Sequence, residues 1–438
     1  WTIRSCAACH EGEAVTYTYD DNKQVGPFGG SIRVPPQPKV KTFPKYNTIV
    51  AGHAFAKDYN EEGAHAYMLE DHYATKRGKF ETCMQCKSTK VALAFRDGKA
   101  LTVPKSTPIT LTHTASGTVP PKTVVIPAGT KITYRTDPKT RFVDAKATFP
   151  DGTVWTSQPK PSDDTTKNYN MVWASTVAAT KDTWPYGAGC NHCHDPHTGK
   201  ARLVRQALLQ AIEGTGGPAG TGGVNPYSKS SVKDPSQASE QDQRILSCAQ
   251  CHVEYVCGKS GVDKKDRDMF GWSKAKDLHD VYMKTFAYSQ DWVQAIIGQP
   301  LIKSQHPETE LYWDSIHYQA GASCSDCHMP EVKSGNETFR SHWFTSPYKY
   351  ENAATYAAFT AATGLDPAFK DKPCVRCHED RMDRAIVQQK TFYAAQQRVE
   401  NKLAISVGLL GAIPPDQRSG STYEDALTAH RKAHVLWE

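Results

Sequence analysis

Apolar positions along this 438-residue chain change rhythm from one region to the next. In Thr123-Val-Val-Ile-Pro-Ala-Gly-Thr-Lys-Ile-Thr-Tyr134, β-branched and polar residues alternate between Pro and Gly breaks, a pattern that predicts short strands. The texture runs from about Lys99 to Gln158 and sets that stretch apart as a small β module. Residues 380–413 instead carry Ile386, Tyr393, Val399, Leu403, Val407 and Leu410 near the helical period. They predict a long amphipathic helix packed into a core, stopped by Pro414-Pro415. A second helix is expected from Ser421, with Ser421 or Thr422 as its cap and Glu424 in the first turn. Residues 213–236, from Glu-Gly-Thr-Gly-Gly-Pro to Asp-Pro-Ser, read as a flexible loop, and residues 1–87 as loop and short helix. The expectation is a mainly α chain. No apolar run approaches the roughly 18 residues of a membrane-crossing helix, so no membrane span is expected.

Composition changes this picture through two residue types. The 52 basic and 46 acidic residues leave a formal charge of +6 with no concentrated basic stripe, which argues against nucleic acid; mild positive charge suits a small anion. The unusual numbers are thirteen cysteines and seventeen histidines. Twelve cysteines pair across two intervening residues: Cys6 with Cys9, Cys83 with Cys86, Cys190 with Cys193, Cys248 with Cys251, Cys324 with Cys327, and Cys374 with Cys377. Five pairs are followed at once by histidine, namely His10, His194, His252, His328 and His378. C-x-x-C-H reads as c-type haem attachment. Cysteines three apart on a helical turn face the same way, so both reach the vinyl groups of one haem while the next residue reaches the iron. Zinc needs two such pairs per ion and gives no reason for the five histidines. A multihaem cytochrome with six covalent haems c is expected, periplasmic or extracellular because haem c is attached outside the cytoplasm. Trp1 as first residue reads as a processed or trimmed start.

The sixth pair departs from the rule: Cys83-Met-Gln-Cys86 is followed by Lys87. An amine ligates iron only when deprotonated, lysine pKa values shift readily on burial, and metal binding itself displaces the proton. Lysine as proximal ligand reads as a haem with an open distal face, a catalytic haem fed by the other five. Two further patterns accompany it: His252-Val-Glu-Tyr255 after the fourth haem motif, and Lys303-Ser-Gln-His306 before the fifth. Together these residues resemble the cytochrome c nitrite reductases that make ammonia. The C-x-x-C-H upstream of the lysine motif, the segment Ala51-Gly-His53-Ala-Phe through His65-Ala-Tyr-Met-Leu-Glu-Asp-His72, and Cys257 two residues after Tyr255 resemble the octahaem branch of that group. The resemblance covers most of residues 1–87 and 184–438 and lapses over the β module.

The resemblance implies a multihaem cytochrome c fold, mainly α, with long C-terminal helices and a small inserted β module. Its segments are 1–98, an N-terminal haem and catalytic-haem region; 99–160, the module; 161–378, the haem-binding catalytic core; and 379–438, the C-terminal helices. The implied activity is six-electron reduction of nitrite to ammonium at the Lys87 haem. Arg77, twelve residues after His65, matches the arginine beside the substrate; a guanidinium stays protonated and holds an anion's oxygens with forked hydrogen bonds. His306 matches the proton donor, a task imidazole suits near neutrality, and Tyr255 supplies a hydroxyl beside the bound nitrogen. Glu254, the main-chain carbonyls of Tyr255 and Lys303, and the Gln305 side chain match a calcium site of oxygen ligands, which would also polarise the pocket. Cys257 has the spacing at which the octahaem branch bonds sulfur to a tyrosine ring, here Tyr255. As second axial ligands, His342 matches the Cys190 haem, His65 the Cys248 haem and His317 the Cys374 haem, with His53 or His72 for the Cys6 haem. The implied partners are nitrite or a similar small nitrogen oxyanion, an electron-donor cytochrome or quinol-linked donor, and further copies of the chain in a homo-oligomer.

Two departures stand beside the match. Octahaem proteins carry two more haem motifs before the one matching Cys6, and take the distal ligand of the Cys324 haem from beyond the last helix. Both features are expected to lie in sequence trimmed from each end. His430 and His434, spaced i and i+4, are the alternative ligands, and a hexahaem chain is the alternative architecture. His113, His192, His197 and His279 read as surface or supporting residues. An electron-conducting cytochrome, as filament subunit or carrier, accounts for the haems but not for Lys87; reduction of hydroxylamine or sulfite would use the same pocket.

Overall fold

The computed structural model describes residues 39–53, 85–111, 122–136, 143–156, 188–205, 208–209, 212, 234–254, 274–285, 290–313, 315–334, 336–342, 344, 372–378 and 382–438. The chain divides into two compact units, one of Trp1–Cys9 with Glu62–Gln210, the other of His10–Glu61 with Ala211–Glu438. Helix dominates, with a few small sheets. Among the described residues no helix is long and apolar enough to cross a membrane.

In the first unit, helix α1 (Thr89–Asp97) follows directly on the helical residues 85–87. It buries Val91, Ala92, Ala94 and Phe95 and ends on Gly98 at φ 62°, the left-handed conformation that glycine adopts without cost at a helix end. The predicted strands follow: β1 (Leu101–Thr102), β2 (Thr107–Leu111), β3 (Lys122–Ile126), β4 (Lys131–Thr136), β5 (Val143–Thr148) and β6 (Val154–Thr156). Strands β1-β4-β5-β6 form an antiparallel sheet in that order, and β2 pairs with β3. Alternation sets the faces: Ile132 and Tyr134 point inward with Ala147, while Lys131 and Lys146 are exposed. The inward face rests on α1, where the Phe95 and Tyr134 rings lie 4.8 Å apart; burying each such ring contributes roughly 1.5–3 kcal/mol. Helix α2 (Cys190–Cys193) completes the unit against α1. The Thr89 hydroxyl accepts from the Gly189 amide at 2.8 Å and meets His192 Nδ1 at 3.2 Å. His192 is therefore a buried supporting residue.

The second unit has α3 (Glu240–Ala249), α4 (Glu308–Trp313), α5 (Ile316–Gln319), α6 (Cys324–His328), α7 (Lys372–His378), α8 (Met382–Ala412) and α9 (Ser421–Trp437), with hairpins β7 (Trp292–Gln294)–β8 (Gln299–Leu301) and β9 (Glu331–Ser334)–β10 (Glu337–Arg340). Among the described residues, one core joins Tyr46, Ile49 and Val50 to Trp292, Leu301, Leu403 and Trp437. Gly52 permits the close approach to β7: at φ 94°, a Cβ there would stand 2.5 Å from the Val293 carbonyl oxygen. Helix α8 stops before Pro414-Pro415 as expected, and Arg418 donates to the carbonyls of Gly411 and Ile413, satisfying groups the helix end leaves open.

Three expectations are corrected. Only Leu403, Val407 and Leu410 of the α8 stripe are buried, because residues 46–50, α9 and the β7–β8 hairpin cover that half; Tyr393 and Val399 are exposed and Ile386 is half-buried. The cap of α9 is Gly420, with neither Ser421 nor Thr422 in that position. The loop at 213–236 ends earlier: Asp234 accepts from the Ser236 amide and opens a 3₁₀ turn, Pro235–Gln237. Residues 213–233 lie outside the described ones.

Candidate active site

Four of the five C-x-x-C-H motifs lie within the described residues, and each sits on a helical turn. In the motifs at Cys190 and Cys248 the histidine amide donates to the first cysteine's carbonyl at 2.9 Å, closing the turn that sets both thiols on one side. The nine described cysteines form no disulfide. In the second unit the motifs run in a row. The Cys324 thiol is hydrogen-bonded to that of Cys248, which holds it below its usual range. Burial, with Cys374 adjacent, pushes Cys327 up to about 11.

The histidines fit iron ligation. His317 and His378 have ring centroids 6.0 Å apart; two imidazoles bonded at about 2 Å to one metal between them stand about that far apart. His194 Nδ1 lies 2.8 Å from the Gly199 carbonyl and His342 Nδ1 3.0 Å from that of Arg340. A carbonyl only accepts, so Nδ1 carries the proton in both rings and Nε2 keeps the lone pair a metal needs. His53 is buried against Trp292, with ring centroids 5.1 Å apart, and burial pushes it down to about 4. His430 and His434 face other groups than the Cys324 motif: His430 meets the Ser406 hydroxyl of α8, and His434 lies 5.8 Å from the Trp292 ring.

The two motifs His252-Val-Glu254 and Lys303-Ser-Gln-His306 meet in the second unit. Glu254 is buried, and both its carboxylate oxygens accept from the Gln305 amide, at 3.1 and 3.0 Å. Ser304 and Tyr282 donate hydroxyl hydrogen bonds to the same carboxylate, and the Lys303 amide donates to Asp291 at 2.8 Å. Beneath it, the fully buried Glu310 receives the Glu254 amide. Burial pushes the Glu254 carboxyl up to about 8, against the pull of Tyr282, the Gln305 amide and Lys303. Burial and then the neighbouring Glu254 raise Glu310 well above the carboxylate range. Two buried carboxyls side by side form an environment that a hard, oxygen-seeking cation relieves, and the donor set fits one.

His306 lies with its ring centroid 6.2 Å from that of His252. Glu308 stands 3.7 Å from His252 Nδ1 and 3.8 Å from His306 Nδ1. Partial burial works to raise the Glu308 carboxyl, and the two rings outweigh it and hold it below the usual range. Ligand atoms of these three residues all lie within 4.8 Å of one another. Helix α4 fixes the group, since Thr309 donates both its amide and its hydroxyl to the His252 carbonyl.

Lys87 and Cys86 belong to the first unit, half-buried on the turn that leads into α1. Cys6, Cys9, His10, His65, His72, Arg77, Cys83, Tyr255 and Cys257 lie outside the described residues. Sequence reasoning missed Glu310, Tyr282, Ser304 and Asp291 around Glu254, and Glu308 between the histidines. The signal for two of them was His306-Pro-Glu-Thr-Glu310, acids in the first turn of the helix after the motif.

The cytochrome c552 family model matches residues 10–102 and 152–438. Cytochrome c-552 of Porphyromonas gingivalis is 31% identical over 222 residues, 49% of this chain and 36% of that protein. The cytochrome c nitrite reductase subunit NrfA of Nitratidesulfovibrio vulgaris is 27% identical over 314 residues, 65% of this chain and 53% of that one. The matched stretches thus span between about a third and about half of these relatives' own lengths. Among solved structures, the chain is similar in fold to the catalytic subunit NrfA of Desulfovibrio desulfuricans cytochrome c nitrite reductase, a protein with two calcium sites. The TM-score is 0.57 and the identity 21%, covering 100% of this chain and 78% of that one. The haem motifs, the adjacent His317 and His378 rings and the buried carboxylate beside Gln305 thus agree with the family match, and the chain belongs to the cytochrome c552 family, alongside the cytochrome c nitrite reductases.

Proposed function

We propose that this chain reduces nitrite to ammonium with six electrons, outside the cytoplasm, at the haem held by Cys83, Cys86 and Lys87. The observation that carries the reading is the hydrogen bonding of Glu254 to the Gln305 amide, which brings two motifs some fifty residues apart to one place and sets His306 beside His252. An electron carrier has no use for that construction.

Six haems c, attached through the six cysteine pairs, would supply electrons and one open iron position. The chain's own residues do the rest. Lys87 would ligate the iron of that haem in place of the histidine that follows the other five pairs, and the iron would be able to take the substrate. Arg77 holds the nitrite oxygens with two parallel hydrogen bonds. His306 delivers protons as the N–O bonds break, and its proton is replenished through the His252–Glu308 neighbourhood, where an acid half exposed to solvent touches both rings. Tyr255 donates to the bound nitrogen, with its ring tied to the Cys257 sulfur. Glu254, Gln305 and the carbonyls of Tyr255 and Lys303 would hold calcium, with Tyr282 and Ser304 orienting the carboxylate. His342, His65, His317 and one of His53 and His72 complete the electron-carrying haems. The exposed Val387, Phe392, Ile405 and Leu409 on α8 suit association with further copies of the chain.

Lys87→His and His306→Ala test this. Each is expected to lower nitrite-dependent oxidation of reduced viologen, with ammonium as product, by about 10²-fold or more, leaving the remaining haems reducible. Full turnover in both variants would overturn the proposal.

A further inference from the structure

The chain's charge is not where its totals suggest. Residues 99–160 hold nine Lys or Arg and three Asp or Glu, whereas the remaining residues hold 43 of each. The entire formal charge of +6 therefore belongs to the β module. A chain-wide total with no concentrated basic stripe hides this local excess. Most of the module, 103–151, is also the stretch that the family model leaves unmatched.

The fold orders that charge. Ile132, Tyr134 and Ala147 fill the inward face, so Lys131 on β4 and Lys146 on β5 are turned to solvent, with Thr102 and Thr133 as outward neighbours in register. Lys99 before β1 and Lys105 before β2 are also exposed. Of the module's described acids, Asp144 stands opposite Arg135 in the β4–β5 register, and Asp151, in the turn between β5 and β6, has its carboxylate taken by the Thr153 amide at 2.8 Å. The module rests on α1 through Phe95 and Tyr134, α1 follows directly on Lys87, and Thr89 ties α1 to the haem motif at Cys190. A lysine-rich, threonine-lined sheet face is thus built onto the support that carries two haem motifs.

We propose that this face is the docking surface for an acidic one-electron carrier protein. The inference rests on the proposed function only in that nitrite reduction needs an external donor. Each encounter passes one electron: the donor is oxidised by one, a haem iron of this chain is reduced by one, and no bond is made or broken. Opposite charges raise the encounter rate and orient the partner without demanding a tight complex, which suits a donor that must leave after each electron.

The test uses the full-length holoprotein and flavodoxin, an acidic flavoprotein, as probe. At low salt, oxidised flavodoxin should bind the native protein, and the affinity should fall steeply as ionic strength rises. Reversal of Lys99, Lys105, Lys131 and Lys146 to Glu should weaken binding by about tenfold or more and slow haem reduction by reduced flavodoxin to match. The same number of reversals at Lys274, Lys276, Lys284 and Lys432, exposed in the second unit, should change both by less than about twofold. Substitution of the four module lysines by Gln should give an intermediate loss with an unaltered haem spectrum, which separates docking from misfolding. Equal weakening by the two sets of reversals would overturn the proposal, as would no effect of the module set. Loss of double-stranded DNA binding with flavodoxin binding intact would also overturn it, in favour of a polyanion partner. Binding is read without nitrite, so an absence of nitrite turnover sinks the proposed function and leaves this result standing.

Discussion

The β module and the haem-bearing helices of the second unit solve the same problem in different ways. The module fills most of its core from its own side chains and seats it on Phe95 of α1: Val103, Ile126, Ile132, Tyr134 and Ala147 are buried, and six backbone pairs between β4 and β5 fix the register. Around the haem motifs the polypeptide is not self-sufficient. Helices α5, α6 and α7 are four to seven residues long, far below the roughly 12–15 residues at which helices become marginal alone. Of the residues that would bind haem there, Cys377, His317, His328 and His378 are exposed and Cys324, Cys327 and Cys374 half-buried, and thiols and imidazoles do little packing of their own. One region carries its stabilisation in its sequence; the other borrows it from a covalently attached group.

Withholding haem attachment sharpens that contrast most. Expressed without c-type maturation, the chain should lose most of its far-ultraviolet helical signal, while amides of β4 and β5 stay protected from hydrogen exchange. Loss of protection in both regions together would break the comparison. A smaller effect comes from the module's seat. Phe95→Ala should cost about 3–5 kcal/mol, confined to the first unit, with hydrogen exchange in α8 and α9 unchanged. The smallest is a matter of pH. Burial, then His434 and Arg431, push the His430 imidazole from 6.5 down to about 4. Between those values the unfolded chain binds a proton that the folded one excludes, so stability is present above about 6.5 and falls as pH drops toward 4. At pH 5 the loss is on the order of 2 kcal/mol, and thermal melts of His430→Gln should show a shallower acid slope. An identical slope in the two proteins contradicts the assignment.

What could be read from the sequence follows the same division. The haem motifs were plain because the covalent chemistry dictates residue type and spacing, and the strands were plain because alternation is local. Both ends of α8 were marked, by helix formers and by Pro414-Pro415. The burial of α8 was not, because its period specifies a face but not a neighbour, and residues 46–50, α9 and the β7–β8 hairpin decide which half is covered. The Gly420 cap was hidden by two better capping residues just after it. Glu310 and Tyr282 reach Glu254 from elements distant in sequence, as a buried polar pocket generally requires. The charge of the module escaped a chain-wide total for a simpler reason: 43 acids and 43 bases elsewhere cancel.

The strand order β1-β4-β5-β6 fixes how this module is joined to its host. Its entry and exit strands lie on opposite edges of the sheet, three strand spacings or about 14 Å apart. It is therefore a bridge with two separate abutments and not an excursion from a single turn. Splicing residue 102 directly to residue 152 would pull those abutments together, so a clean excision needs a spacer of about four or five extended residues, and a scaffold meant to receive the module must offer a gap of the same width.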